Sequence, residues 1–227
     1  MTTSSTTTVP RATEELLAEA AEWRLLALLF SCPVDGWREQ VAAIAAEVGD
    51  AKLREAAETA IGEAAVSIYH TAFGPGGPGA PREVSHRQSA LSGQYLAELR
   101  ACYDVFAYQP PRDEPPDHVA TEIDYLAYLR LKQAYAVSRG DDAQATVAAD
   151  AAQHFLDEHL ATIAGPLAKI AAASSIRYLE LAATALVDRV GPPRTRPGGS
   201  VPPFSQLSDP ALPICELDDC CGEFADE

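Results

Sequence analysis

The stretch that decides the fold is PDHVATEIDYLAYLRLKQAYAVS, residues Pro116–Ser138. Its apolar side chains recur at helical spacing and line one face: Val119, Ile123, Tyr125, Leu126 and Leu129. A proline fits the first turn of a helix because its missing N–H is not needed there, and Gly140 is suited to end the helix. The pattern therefore predicts one long helix that buries this face against other elements.

Helical patterns continue on both sides of this stretch. They are predicted at Thr13–Phe30, Trp37–Val48, Ala51–Phe73, Ser85–Tyr108, from Asp141 or Asp142 through Phe155 and Leu160, and at Pro166–Val190. Breaks rich in glycine or proline, at Gly74–Pro81 and Gln109–Pro115, separate some of them. Alanine, the best helix former, dominates the apolar residues, and no alternating runs indicate strands. The sequence predicts an all-α, single-domain helical bundle at 13–190, with disordered tails at 1–12 and 191–227.

The charge of the chain limits its partners. The 227 residues carry a formal net charge of −16, which disfavours nucleic acid and anionic lipid. The charge suits either solubility alone or a basic partner, and it does not distinguish the two. No stretch has the length and apolarity of a membrane-spanning helix, and the Ser/Thr-rich start does not look like a secretory signal. We therefore expect a cytoplasmic protein without stable membrane association.

The five cysteines do not predict a disulfide framework, because their number is odd and no export signal is recognised. Cys32 and Cys102 lie in apolar helical contexts and are expected to be buried and reduced. Cys215, Cys220 and Cys221 lie in the acidic C-terminal tail, where their spacing is not that of a zinc site and their role stays open.

Asp117 and His118 are the first candidates for function. The free amides of a helix N-terminus favour the Asp117 carboxylate and disfavour a protonated His118. We expect a neutral imidazole in an exposed, fairly rigid polar patch, although composition alone favours plain helix capping and a loop histidine over a functional site. Glu122 is expected at the rim between the apolar and the solvent-facing sides, and with Asp124 it offers an acidic contact for a basic partner.

Enzyme motifs are weak. No phosphate-binding loop, nucleophile elbow or dinucleotide fingerprint is present. His70, His86 and His118 with Asp117 and Glu122 form a conceivable metal set, but without zinc-type spacing. A small metal-dependent helical hydrolase that uses Asp117 and His118 is kept as the alternative to a binding protein, and nucleotide binding is a weaker one. We expect no catalytic residue, metal or cofactor.

Three segments together resemble one protein family. They are Tyr69–Gly74 with Pro81–Ser85 after it, Glu114–Leu126 with its Pro-Asp-His, and His154–Leu160 followed by Tyr178–Ala182. In this order and spacing they are similar to the TorD-like chaperones, over about 15–190. His86 replaces a residue that is usually Tyr or Ser, and Ile163 replaces a frequent aromatic.

The resemblance implies a bundle of the TorD-like type and a chaperone for a molybdenum-cofactor oxidoreductase of the dimethyl sulfoxide reductase type. The implied partner is the apo catalytic subunit, its twin-arginine signal peptide, or both. The implied binding residues are Glu83, Ser85, His86, Pro116, Asp117, His118, Glu122 and Asp124. Either a monomer or a dimer is compatible with the sequence.

Overall fold

The protein is all-α, as predicted. The computed structural model describes residues 10–74, 79–87, 92–111 and 114–191. Its helices are α1 Arg11–Leu29, α2 Trp37–Glu47, α3 Ala51–Glu63, α4 Val66–Phe73, α5 Ser92–Val105, α6 Val119–Ser138, α7 Asp142–Phe155, α8 Ala161–Ser174 and α9 Arg177–Val190. Most of both predicted tails, with the three tail cysteines, lies outside the described residues.

The helices α1 and α6 form the centre of the bundle. Leu26 of α1 and Leu126 of α6 are fully buried in one core. Arg24 pairs with Asp124, and Arg130 Nε lies 2.9 Å from the Glu19 carboxylate. The residue numbers of the partners in α6 decrease as the residue numbers in α1 increase, so the two helices run antiparallel.

The other helices pack around this pair. Asp141 caps α7 by accepting a hydrogen bond from the Gln144 N–H at 3.0 Å, which confirms one of the two predicted caps. Gly140 makes the tight link between α6 and α7 with a φ of 69°, a conformation that favours glycine. α9 packs on α3, where the Lys52 ammonium lies 2.7 Å from Asp188.

Several predicted helix bounds are wrong, for local reasons. The helix predicted at 51–73 ends at Glu63, and Ala65 is extended with a φ of −145°. The helix predicted to begin at Pro166 begins at Ala161 and contains Pro166, whose φ fits a helix although its missing N–H cannot bond the Thr162 carbonyl. It ends before Ser175, a non-glycine residue with a φ of 58°.

The segment predicted as one helix at 85–108 also differs. Residues Glu83–Ser85 form a 3-10 turn, and α5 occupies 92–105. Cys32 and Cys102 are free thiols, as expected, but they are half-buried and not fully buried. Within the described ranges, no helix is both long and apolar enough to cross a membrane.

Asp50 caps the N-terminus of α3 and links it to α9. Its carboxylate accepts hydrogen bonds from the N–H groups of Lys52 and Leu53, at 2.8 and 3.2 Å, and from Arg189 of α9 at 2.8 Å. Partial burial raises the pKa of Asp50, but the Leu53 amide and Arg189 outweigh it, so the pKa is lowered. The charged form therefore stabilises the fold.

We expect Asp50→Ala to lower the free energy of unfolding by about 1 kcal/mol at neutral pH, since it removes a helix cap. Asp50→Asn is the matched control, because asparagine caps well but cannot pair with Arg189. It should cost less than Asp50→Ala.

Urea unfolding at several pH values measures this effect. The folded-state pKa of Asp50 is lowered, so its contribution is present above its unfolded pKa and disappears as the pH falls through the folded value. An Asp50→Ala cost that is unchanged in acid would contradict this assignment.

Candidate functional site

Two of the predicted motifs meet in space. The segment Pro81–Ser85 runs antiparallel to the start of α6, with Arg82 opposite His118 in an isolated bridge. The Glu83 N–H donates to the Asp117 carbonyl at 2.9 Å, and the Val119 N–H donates to the Pro81 carbonyl at 2.8 Å. The main chain of one motif therefore holds the main chain of the other.

The side chain of Asp117 completes this junction. One carboxylate oxygen accepts hydrogen bonds from Arg82, from Nε at 2.9 Å and from Nη2 at 2.8 Å, and the other accepts the Val84 N–H at 3.3 Å. Asp117 is fully buried, whereas Arg82 is 40% exposed. The carboxylate thus binds the neighbouring segment, where the sequence had suggested only an interaction with the N-terminus of its own helix.

His118 is the residue that caps α6. Its Nδ1 accepts a hydrogen bond from the Ala120 N–H at 3.2 Å, so in the neutral ring Nε2 carries the proton and donates to the Tyr69 hydroxyl at 3.1 Å. Burial lowers the pKa of His118 to about 4, assisted by Arg82 and opposed by Asp117. The predicted neutral imidazole agrees with this, and burial is the main cause.

Glu83 is the centre of a second buried group. One of its oxygens accepts from Arg87, whose Nε lies 2.6 Å away, and the other accepts from the Tyr95 hydroxyl and from His159 Nδ1 at 3.0 Å. Burial alone would raise the pKa of Glu83. Its contacts with His159, Glu122 and Tyr95 lower the pKa by more than burial raises it, so this carboxyl is ionised.

Glu122 lies beside this group and is completely buried, so the predicted position at the rim is wrong. It follows His118 by one helical turn, on the side of α6 that the Pro81–Ser85 segment covers. No donor reaches either of its carboxyl oxygens. Burial raises the pKa of Glu122 well above its usual value, and the nearby charges of Glu83 and Asp117 add to this.

The remaining predicted site residues are more accessible. Ser85 is exposed, and His86, Pro116 and Asp124 are half-buried. His86 Nε2 lies 2.8 Å from the Ala80 carbonyl, and the Pro116 carbonyl accepts the Tyr103 hydroxyl. Asp124 pairs with Arg24 and accepts the Tyr108 hydroxyl at 2.8 Å.

The predicted exposed patch at Asp117 and His118 is therefore wrong, because a covering segment that helical periodicity does not reveal lies over it. The suggested metal set does not assemble either. Asp117 is held by Arg82, and both nitrogens of His118 have other partners. Of that set, only Glu122 joins a cluster of possible ligands among the described residues.

The third motif reaches the same place. Residues Leu156–Leu160 form a π-helical turn between α7 and α8, and this turn contains His159, whose ring stacks on Phe155 at 4.4 Å between centroids. Sequence reasoning gave no role to His159, Tyr69, Arg82 or Tyr95. For His159, Tyr69 and Arg82 the one available signal was their place in the segments that resemble the family, and Tyr95 lies outside those segments.

The comparisons identify the family. The family model described as "Nitrate reductase delta subunit" matches residues 35–169, which include the first two motif segments and His154–Leu160 but not Tyr178–Ala182. This chain belongs to that family.

Two curated relatives are assembly chaperones. The selenate reductase assembly chaperone protein of Thauera selenatis is 31% identical over 167 residues, 73% of this chain and 78% of that protein. The chlorate reductase assembly chaperone protein of Ideonella dechloratans is 31% identical over 151 residues, 63% and 72% of the two chains. No solved structure is significantly similar to the chain. The predicted chaperone family is confirmed, and so is the prediction that the protein is not an enzyme.

His118 should make the stability of this chaperone-family member depend on pH. Its folded pKa of about 4 lies below the usual histidine value of 6.5, so the unfolded chain binds more protons between these values. We therefore expect stability to fall as the pH decreases from 6.5 to 4, by about 3 kcal/mol from this residue. The charged groups around the ring are Asp117, Arg82 and Glu114.

His118→Asn is the test, because asparagine retains an N-cap but does not titrate. Unfolding in urea between pH 4 and pH 7 should show a shallower loss of stability for the variant than for the parent. Equal slopes for the two proteins would show that His118 is not the titrating group.

Proposed function

We propose that this chain is a cytoplasmic assembly chaperone for a molybdenum-cofactor oxidoreductase of the dimethyl sulfoxide reductase type. The observation that carries the proposal is the similarity to two reductase assembly chaperones over 73% and 63% of the chain. In this role the protein binds the catalytic subunit before its cofactor is inserted and keeps it from premature export.

The charge of the chain supports a basic client segment. At a net charge of −16, the protein attracts a peptide with paired arginines at long range. We therefore propose that the twin-arginine signal peptide of the client is one of the segments bound, by a monomer or a dimer. Neither nucleic acid nor membrane is a partner in this proposal.

The buried residues have a positioning role in this proposal. Glu83, Asp117, His118 and Glu122 are too deeply buried to contact a client in this conformation. Of these, Asp117 holds the Pro81–Ser85 segment against the start of α6 from the inside, through Arg82 and the Val84 N–H. The client then contacts the outer side of this junction.

The accessible predicted residues lie at that junction or near it. Ser85 is exposed on the covering segment, and His86 and Pro116 are half-buried beside it. Asp124, one and a half turns into α6, adds a negative charge that Arg24 already balances. A hydrolase built on Asp117 and His118 gains no support, because both side chains are buried and already have partners.

Co-purification tests the proposed function. The tagged chain is expressed with the catalytic subunit of the molybdenum reductase encoded near it, with and without the signal peptide. We expect the subunit to co-purify in its cofactor-free form, and we expect reductase activity to fall in cells that lack the chaperone. The absence of both effects would overturn the proposal.

Ser85→Lys tests the surface without disturbing the buried contacts. An added positive charge there should weaken binding of a twin-arginine peptide by up to about fivefold, because it repels the arginines. The free energy of unfolding should stay within about 0.5 kcal/mol of the parent, as for other surface changes.

The matched control is Thr146→Lys, which adds the same charge at an exposed site about two helical turns before His154 on α7. Calorimetric titration with a peptide that carries paired arginines, and with its paired-alanine version, compares the three proteins. Equal weakening by both variants would indicate a net-charge effect and would remove Ser85 from the site.

A further inference from the structure

Glu83, Glu122 and His159 come together from three different elements. Glu83 begins the 3-10 turn, Glu122 lies in the first turn of α6, and His159 belongs to the π-helical turn. One possible ligand atom from each of them lies within 4.8 Å of the other two. Two carboxylates and an imidazole are thus directed at one small volume inside the protein.

Glu122 indicates that this volume holds a ligand. Its side chain is completely buried and neither oxygen has a hydrogen-bond donor, whereas both oxygens of the adjacent Glu83 have donors. Buried polar atoms without partners are rare in native proteins, and a bound ion or water is a common reason for them. The side-chain partner of Glu122 is the Glu83 carboxyl, and two acidic groups in contact need a proton or a cation between them. A cation that displaces this proton would satisfy the oxygens of Glu122.

The π-helical turn is a second, independent observation. Such turns are rare and occur often at functional sites, because they displace one side chain from the regular helical position. Here the turn brings His159 Nδ1 to 3.0 Å from Glu83. A regular α-helix through Leu156–Leu160 would direct this side chain elsewhere.

We propose that Glu83, Glu122 and His159 bind a divalent transition-metal ion, such as Zn²⁺ or Mn²⁺, inside the bundle. Imidazole and carboxylate together suit these ions, whereas Mg²⁺ and Ca²⁺ prefer oxygen alone. Ligand atoms about 2.0–2.2 Å from one ion are separated by roughly 3–4 Å. Since every pair lies within 4.8 Å, a contraction of at most about an ångström or two forms the site.

Binding would release the proton of Glu122 to solvent, and the His159 nitrogen that faces the ion would give up its hydrogen bond to Glu83. The two carboxylates then balance the charge of the ion, which lowers the free-energy cost of burying it. Glu83 can keep its hydrogen bond from Arg87 on the oxygen that does not face the ion. The side chains of His159 and Arg87 are 11% and 28% exposed, so an ion reaches the site from their side. The ion would cross-link three motif segments, a structural role that does not depend on the proposed function.

The experiment uses the full chain without a histidine tag. Cys215, Cys220 and Cys221 are changed to serine in every sample, because any thiolate can bind metal ions non-specifically even without the spacing of a zinc site. The protein is stripped with a chelator and titrated calorimetrically with ZnCl₂ or MnCl₂. Elemental analysis after gel filtration should show one ion per chain for at least one metal, and that metal should raise the midpoint of thermal unfolding.

Two variants and one control locate the ion. Glu122→Gln keeps the shape but removes the anionic ligand, and His159→Phe keeps a ring to stack on Phe155. Each should weaken binding by at least about tenfold and remove most of the thermal shift. His70→Gln, which removes an exposed histidine of α4, should leave both measurements unchanged.

The proposal is overturned if neither metal binds at close to one ion per chain. It is also overturned if Glu122→Gln, checked by circular dichroism to be folded, binds the metal as tightly as its parent. Reductase activity in cells is not a readout here, so failure of the chaperone proposal would leave this result unaffected.

Discussion

The buried carboxylate of Asp117 is the interaction on which the candidate site depends. A negative charge in the protein interior is unfavourable unless it is paired and hydrogen-bonded. Arg82 and the Val84 amide supply these bonds, so the Pro81–Ser85 segment has to remain against the start of α6. Glu83 follows directly after Arg82, and this docking directs its carboxyl towards Glu122 and the π-helical turn. One charged contact between the two segments therefore orders residues from three elements.

Much of the fold could be predicted from the sequence, because helix formation and burial both leave a periodic signal. The face of α6 that carries Ile123 and Leu126 is fully buried, as its spacing predicts. The breaks at Ala65 and Ser175 could not be predicted, since neither residue is a strong helix breaker. Tertiary packing places those breaks. The sequence gives no signal for the π-helical turn either, because the residues Leu156–Leu160 suit an ordinary helix.

The candidate site could be predicted only in part. The sequence predicts the Pro-Asp-His segment correctly as a helix start, but the prediction that this segment is exposed is wrong. Periodicity places Glu122 on one side of α6 and does not reveal what covers that side. The partners Arg82 and Asp117 are 35 residues apart in the chain, and Glu83 and His159 are 76 apart. Such contacts arise from the three-dimensional arrangement of the chain. In the sequence, the only sign of them was that the segments resemble those of one family.

The central pair of helices has a consequence for synthesis of the protein. Arg24 of α1 pairs with Asp124 of α6, which is 100 residues later in the chain. At about 5–20 residues per second, the ribosome needs roughly 5–20 seconds to make the partner of α1 after α1 itself. During that interval the apolar face around Leu26 has no α6 to cover it. The nascent chain is then exposed to aggregation, so a protein of a chaperone family itself passes through a stage at which it needs protection.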